Sequence, residues 1–276
     1  MISTRQIGSM ILIMCVTLMC VTLLLSTSAS SNTYFKETEC QLHADINRVP
    51  PSDHNDIWTL TIAHFSEWKY GDTFFFMDIE TEPVFTQTPT AMYFEIAPRF
   101  SLDKIFNQDL IDSKYFGEIY LTFQYNASDK DYIPTSWLYG LSFDFAGQPN
   151  HGFSNLSLLV KNCDRKGEFT DQPPYQNDMS WQITFAWGQP FNIGPLEMEF
   201  NGFVDYWKEN SLFNKGEAYR ILLAEPQLRL NLSSFFGEGN FLSNSLVGTE
   251  VEISYHFFDE SDGWRINPTL FFAVVF

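Results

Sequence analysis

Along this chain, ionisable and aromatic side chains recur at every second position, which puts them on common faces of extended segments. Phe74, Phe76, Asp78 and Glu80 form one such set, and Tyr93, Glu95 and Arg99 form another. Glu197 with Glu199, Glu225 with Arg229, and Glu250 with Glu252 and His256 continue the pattern. Aromatic faces stack on planar, neutral rings. Carboxylates and guanidinium groups make charge-assisted hydrogen bonds to hydroxyls. Together they can hold a small polar solute reversibly, with no bond made or broken. Acids outnumber bases in the set, so it repels anions and favours neutral solutes or cations.

Covalent chemistry has less support. A nucleophile needs a base within hydrogen-bond reach. His43, His54, His64, His151 and His256 sit in no recognisable Ser or Cys motif. His256 shares a face with Ser254, as any period-two neighbours do. The His/Cys spacing of a metal site is absent. The expectation is therefore no enzyme, no catalytic residue, no metal and no cofactor.

Composition narrows the class. The 276 residues hold 16 Lys plus Arg against 34 Asp plus Glu, a formal charge of −18. Such acidity argues against a nucleic-acid binder, which needs a basic patch to neutralise phosphates. Hydrophobic residues at 45% and charged residues at 18% argue against disorder. Four cysteines are too few for a disulfide scaffold at this length. Residues 1–30 read as a secretory signal, with Arg5 ahead of the apolar stretch 10–25 and small residues from Ser26 to Ser30. That stretch is shorter than the roughly 20 residues of a membrane span. The exported part, 31–276, reads as one domain and keeps Cys40 and Cys163, which could pair or stay as thiols.

The elements that must position the candidate set are strands. Apolar residues alternate with polar ones over 57–68, 74–82, 92–100, 118–125, 137–145, 155–161, 181–188, 196–201, 222–230, 247–257 and 265–276. Period two is the signature of a strand with two unlike faces. Most segments have the length a tilted strand needs to cross hydrocarbon, and turn-rich connectors separate them. A soluble sandwich would turn the apolar face inward, and a membrane barrel would turn it outward. The tryptophans, Trp58, Trp68, Trp137, Trp181, Trp187, Trp207 and Trp264, fall mostly at or near segment ends, as an interfacial girdle requires. Leu270, Phe272, Val274 and Phe276 alternate up to a terminal Phe, as in bacterial outer-membrane barrels. The fold class is therefore all-β, an antiparallel transmembrane β-barrel in the bacterial outer membrane.

Closure fixes the strand number. Single-chain bacterial barrels have even counts, because an open edge in lipid leaves backbone groups unpaired. The eleven segments above need a twelfth, and 35–46 supplies it, with Cys40, Leu42, Ala44 and Ile46 on one face. With both termini periplasmic, the connectors 82–90, 129–135 and 163–178 lie outside. The connector 101–116 lies inside and carries Leu102, Ile105, Phe106 and Leu110 at near-helical spacing, which predicts a short helix acting as a packed connector.

The stretch Phe94-Glu95-Ile96-Ala97-Pro98-Arg99-Phe100-Ser101-Leu102-Asp103-Lys104 resembles a segment of the nucleoside-specific outer-membrane channel family, Tsx. The likeness continues through Asp109-Leu110 and Thr135-Ser136-Trp137-Leu138-Tyr139-Gly140-Leu141, and extends to 74–85 and to Gly263-Trp264 with the terminal Phe276. The resemblance implies a monomeric twelve-stranded barrel that passes nucleosides by facilitated diffusion. It also implies a narrow lumen with aromatic faces for the base and ionisable groups for the sugar. On that reading the partners are a nucleoside permeant and outer-membrane lipid. The alternative is a barrel whose lumen is plugged, acting as a structural or surface-receptor protein.

Overall fold

The computed structural model describes residues 33–46, 57–81, 91–130, 133–149, 152–165, 175–208, 220–236, 240–257 and 263–276. The expected signal sequence, the connector 82–90, most of 163–178, His54 and His151 lie outside the described residues.

The strands are β1 (Thr33–Asp45), β2 (Trp58–Trp68), β3 (Gly71–Thr81), β4 (Ala91–Ser101), β5 (Phe116–Ser128), β6 (Thr135–Phe145) and β7 (Phe153–Arg165). They continue as β8 (Tyr175–Ile193), β9 (Leu196–Lys208), β10 (Arg220–Ala224), β11 (Gln227–Asn231), β12 (Ser245–Tyr255) and β13 (Trp264–Val275). Neighbours pair antiparallel in chain order, and β1 pairs with β13, so the sheet closes on itself. β10 and β11 each pair with both β9 and β12, which makes them two halves of one crossing strand. The barrel therefore has twelve crossings.

The break at Glu225 and Pro226 departs from the continuous strand expected over 222–230. Proline has no N–H to give to the ladder. The ladder survives because Glu225 N donates to Phe203 O at 3.1 Å and Val251 N donates to Pro226 O at 3.1 Å. Gly202 on β9 faces the break with φ 147°, a region that favours glycine. A Cβ there would meet the Pro226 Cα at 2.9 Å.

The register assigns the faces. Gln41 pairs with Thr61, Thr61 with Asp78, and Asp78 with Tyr93, so these share a face with every second residue on their strands. The same parity propagates through Glu95, Asn126, Ser136 and Cys163. Residues of this parity are buried although polar: Glu39, Gln41, His43, Asp72, Gln124, Asn126, Ser142, Lys161, Gln182, Arg229, Asn267 and Thr269. Residues of the opposite parity are exposed although apolar, with Trp137 at 58%, Leu270 at 55% and Ile266 at 60% relative accessibility. Leu121, Phe123, Tyr139, Leu158, Phe185 and Phe200 belong with them. Such a distribution inverts a soluble fold, and only lipid can cover the outer face. Among the described residues no helix is long and apolar enough to cross a membrane, so the strands do the crossing.

Outward aromatics gather in two belts. Near one rim Tyr125 packs on Trp137 at 4.4 Å, Trp181 on Tyr206 at 5.5 Å and Tyr255 on Trp264 at 5.1 Å. Near the other rim Trp68 packs on Phe100 at 5.3 Å, and Trp187 on Phe200 at 5.5 Å. These are the interfacial girdles expected for a barrel in a bilayer. Trp207 is a correction: its parity is inward, and it is buried in the lumen rather than part of a girdle.

The helix expected within 101–116 is α1 (Leu102–Phe106), a single short piece. Ser101 caps it by accepting from Lys104 N at 3.0 Å, and Asn107 ends it in a left-handed conformation with φ 52°. Lys104 Nζ reaches Glu67 at 3.4 Å and Glu118 at 3.6 Å, tying the connector to the ends of β2 and β5. No disulfide joins Cys40 and Cys163. Cys40 faces outward from β1, whereas Cys163 faces inward from β7.

Candidate functional site: the lumen

The lumen wall begins with an aromatic track on β1 to β4. Phe35 packs on Phe65 at 6.1 Å, and Phe65 pairs in register with Phe74. Phe74 packs on Phe76 at 5.9 Å, and Phe76 on Tyr93 at 5.5 Å. The five rings climb from the rim where β1 begins and β13 ends toward mid-barrel. Sequence reasoning selects Phe74, Phe76 and Tyr93. It misses Phe35 and Phe65 because β1 and β2 have weak alternation, with apolar residues on both faces.

Arginines organise the next layer. Arg99 donates from Nε to Asp72 at 2.8 Å and from Nη2 to the other Asp72 oxygen at 2.7 Å. Its Nη1 donates to Asp144 at 2.7 Å, and its guanidinium lies 4.2 Å from the Tyr120 ring centroid. This planar fork ties β3, β4 and β6 together from inside. Arg229 pairs with Glu39 across the β11 to β1 wall and lies 3.5 Å from Glu199. Gly248, its partner on β12, has no side chain, and the Phe271 ring packs over it. Glu80 pairs with Lys130 at 2.5 Å. Glu197 accepts from Ser233 at 3.2 Å near the rim where β1 begins and β13 ends.

A second group of acids takes hydrogen bonds from neutral side chains. Thr61 donates to Asp78 at 2.6 Å, and Tyr93 to Glu95 at 2.9 Å. Gln227 donates to Glu250 at 2.6 Å, and Asn267 to Glu252 at 2.8 Å. Thr184 donates to Asp205 at 2.5 Å. Glu225, held in the break between β10 and β11, lies within electrostatic reach of Glu250, Glu252, Asp78 and Asp205. These carboxylates converge on one lumen region beside the aromatic track, and none is fully buried.

The opposite wall is packed more tightly. Leu138, Leu159, Trp207 and Ile221 are buried there with inward parity. Lys161 lies among them, its Nζ 3.1 Å from Gln182 Oε1 and 4.1 Å from the Trp207 ring centroid. Lys161 and Asp144 fall on faces the alternation marks as polar, so parity alone could have singled them out. Asp205 and Trp207 lie beyond residue 201, where inward Phe203 interrupts the pattern.

By register, every sequence-selected residue faces the lumen except His256. β12 ends at Tyr255, and His256 follows with φ 57°, so parity no longer applies to it. Its ring stacks on Tyr255, an outward belt residue, at 3.8 Å. Among the described residues no group of three or more His, Cys, Asp or Glu is placed to hold a metal ion.

Fold, girdles and inner surface together define an outer-membrane β-barrel with a polar, acid-rich lumen. Within that class, the chain belongs to the family described as Domain of unknown function (DUF5020), whose signature matches residues 38–276. No curated protein matches the chain. Solved structures similar to it include a KdgM porin, at 8% identity and a TM-score of 0.46, covering 87% of this chain and 99% of that one. Another is OccAB3 of Acinetobacter baumannii, at 9% identity and a TM-score of 0.34, covering 89% of this chain and 99% of that one.

Proposed function

We propose that this barrel is a channel for facilitated diffusion of nucleosides or similar small neutral solutes, acting as a monomer. The carrying observation is the aromatic track from Phe35 to Tyr93, set in the same lumen as hydrogen-bonded carboxylates. A nucleoside has a flat base that stacks on such rings and a hydroxylated sugar that donates to carboxylates. Several weak sites in series let a solute enter and leave. The acid excess disfavours nucleotides and other phosphates.

Swelling of proteoliposomes tests the reading. Vesicles carrying the protein should swell faster in adenosine or thymidine than in a disaccharide. Equal rates for all solutes would remove the nucleoside preference. A second reading, a plugged barrel with a structural or surface-receptor role, is favoured by the tight packing of Leu138, Leu159, Trp207 and Ile221. It predicts no swelling in any solute.

A further inference from the structure

Glu95 on β4 and Asp205 on β9 are five ladder steps apart around a ring of twelve, so they stand on nearly opposite walls. Twelve strands about 4.8 Å apart and tilted by about 40° enclose a cylinder roughly 24 Å across between backbones. Yet Glu95 and Asp205 lie within electrostatic reach of one another, and Tyr93 is within reach of Asp205 as well. By register both side chains point into the lumen, toward one another.

One cation reaches the same place. Lys161 on β7, only 6% exposed, lies within electrostatic reach of both Glu95 and Asp205. A relay of neutral side chains fixes its distance from Asp205. Gln182 accepts from Lys161 at 3.1 Å and donates from Nε2 to Thr184 at 3.0 Å, and Thr184 donates to Asp205 at 2.5 Å. The Trp207 face holds the ammonium from the other side at 4.1 Å. The lysine is thus held between Gln182 and Trp207.

We propose that Lys161, facing Glu95 and Asp205 in the lumen, sets the charge selectivity of the pore. The two carboxylates favour cations, and Lys161 tempers that preference enough for neutral solutes to pass without a captive cation in the way. This inference rests on the channel reading. It adds two residues, Lys161 and Asp205, that stand outside the sequence-selected set.

The test is the reversal potential in a planar bilayer under a KCl gradient, using the full protein. The wild-type barrel should favour K+ over Cl−. Lys161→Met keeps the packing against Trp207 but removes the charge, and should raise the K+/Cl− permeability ratio by up to about thirtyfold, about fivefold for each ion with opposite sign, the effect of one unit charge at about 4 Å in water. Lys161→Arg should hold the ratio near wild type. Asp205→Asn should shift it the other way and serves if the lysine variant fails to insert. Unchanged ratios for both Lys161→Met and Asp205→Asn, with conductance intact, would overturn the inference and leave the channel reading standing. A wild-type barrel that carries no current would overturn both.

Discussion

Replacing Arg99 is the sharpest structural perturbation available. Its guanidinium makes two bonds to Asp72 and one to Asp144, at 2.7 to 2.8 Å. The two acids differ in their alternatives. The Asp72 side chain is 7% accessible, whereas that of Asp144 is 30% accessible and can turn to lumen water. Arg99→Met therefore leaves one buried carboxylate with its main partner gone. Breaking a buried pair in this way costs about 3–5 kcal/mol. Arg99→Lys keeps the charge but not the fork, and should cost about 2 kcal/mol, one charged hydrogen bond. The double variant Arg99→Met with Asp72→Asn removes the stranded charge and should recover more than half of the loss. Urea unfolding in lipid vesicles, followed by tryptophan fluorescence, reads all three. Arg99→Met within about 1 kcal/mol of wild type would refute the reasoning, as would a double variant no better than the single one.

Further outcomes follow from other parts of the wall. A Cβ added at Gly140 would run into the Leu158 carbonyl, so Gly140→Val should prevent the barrel from reaching its compact, heat-modifiable form on electrophoresis. Cys40 and Cys163 face opposite sides of the wall, so reducing and non-reducing gels should show the same mobility, with no gain in thermal stability from oxidation. Phe76 sits between Phe74 and Tyr93 in the aromatic track, so Phe76→Leu should weaken solute-dependent block of current by up to about tenfold, the worth of one aromatic pair, with the barrel still inserted.

The barrel was legible in the sequence because its code is simple. A single period-two alternation, carried through to Phe276, fixes strand number, parity and which face meets lipid. Even the weak segment 35–46 was recoverable, since an odd count cannot close. Legibility fails where parity stops meaning orientation. His256 follows a residue that ends its strand, and a left-handed backbone resets the direction of its side chain. Pro226 breaks a strand whose alternation reads as continuous, and Gly202 faces the break from the neighbouring strand. Trp207 looks like a girdle residue by type and position, yet its register turns it inward onto Lys161. The partners of the arginines were also hidden. Arg99 reaches Asp144 across the intervening β5, and Arg229 reaches Glu39 only through closure of the ring.

The most direct test of the channel account is current through single barrels of the purified protein in a planar bilayer, with adenosine, thymidine and a control sugar titrated in turn. The account predicts a small ohmic conductance that both nucleosides reduce in a saturable way at millimolar levels or below, while the sugar leaves it unchanged. Steady current indifferent to nucleosides, or no current at all, would contradict it.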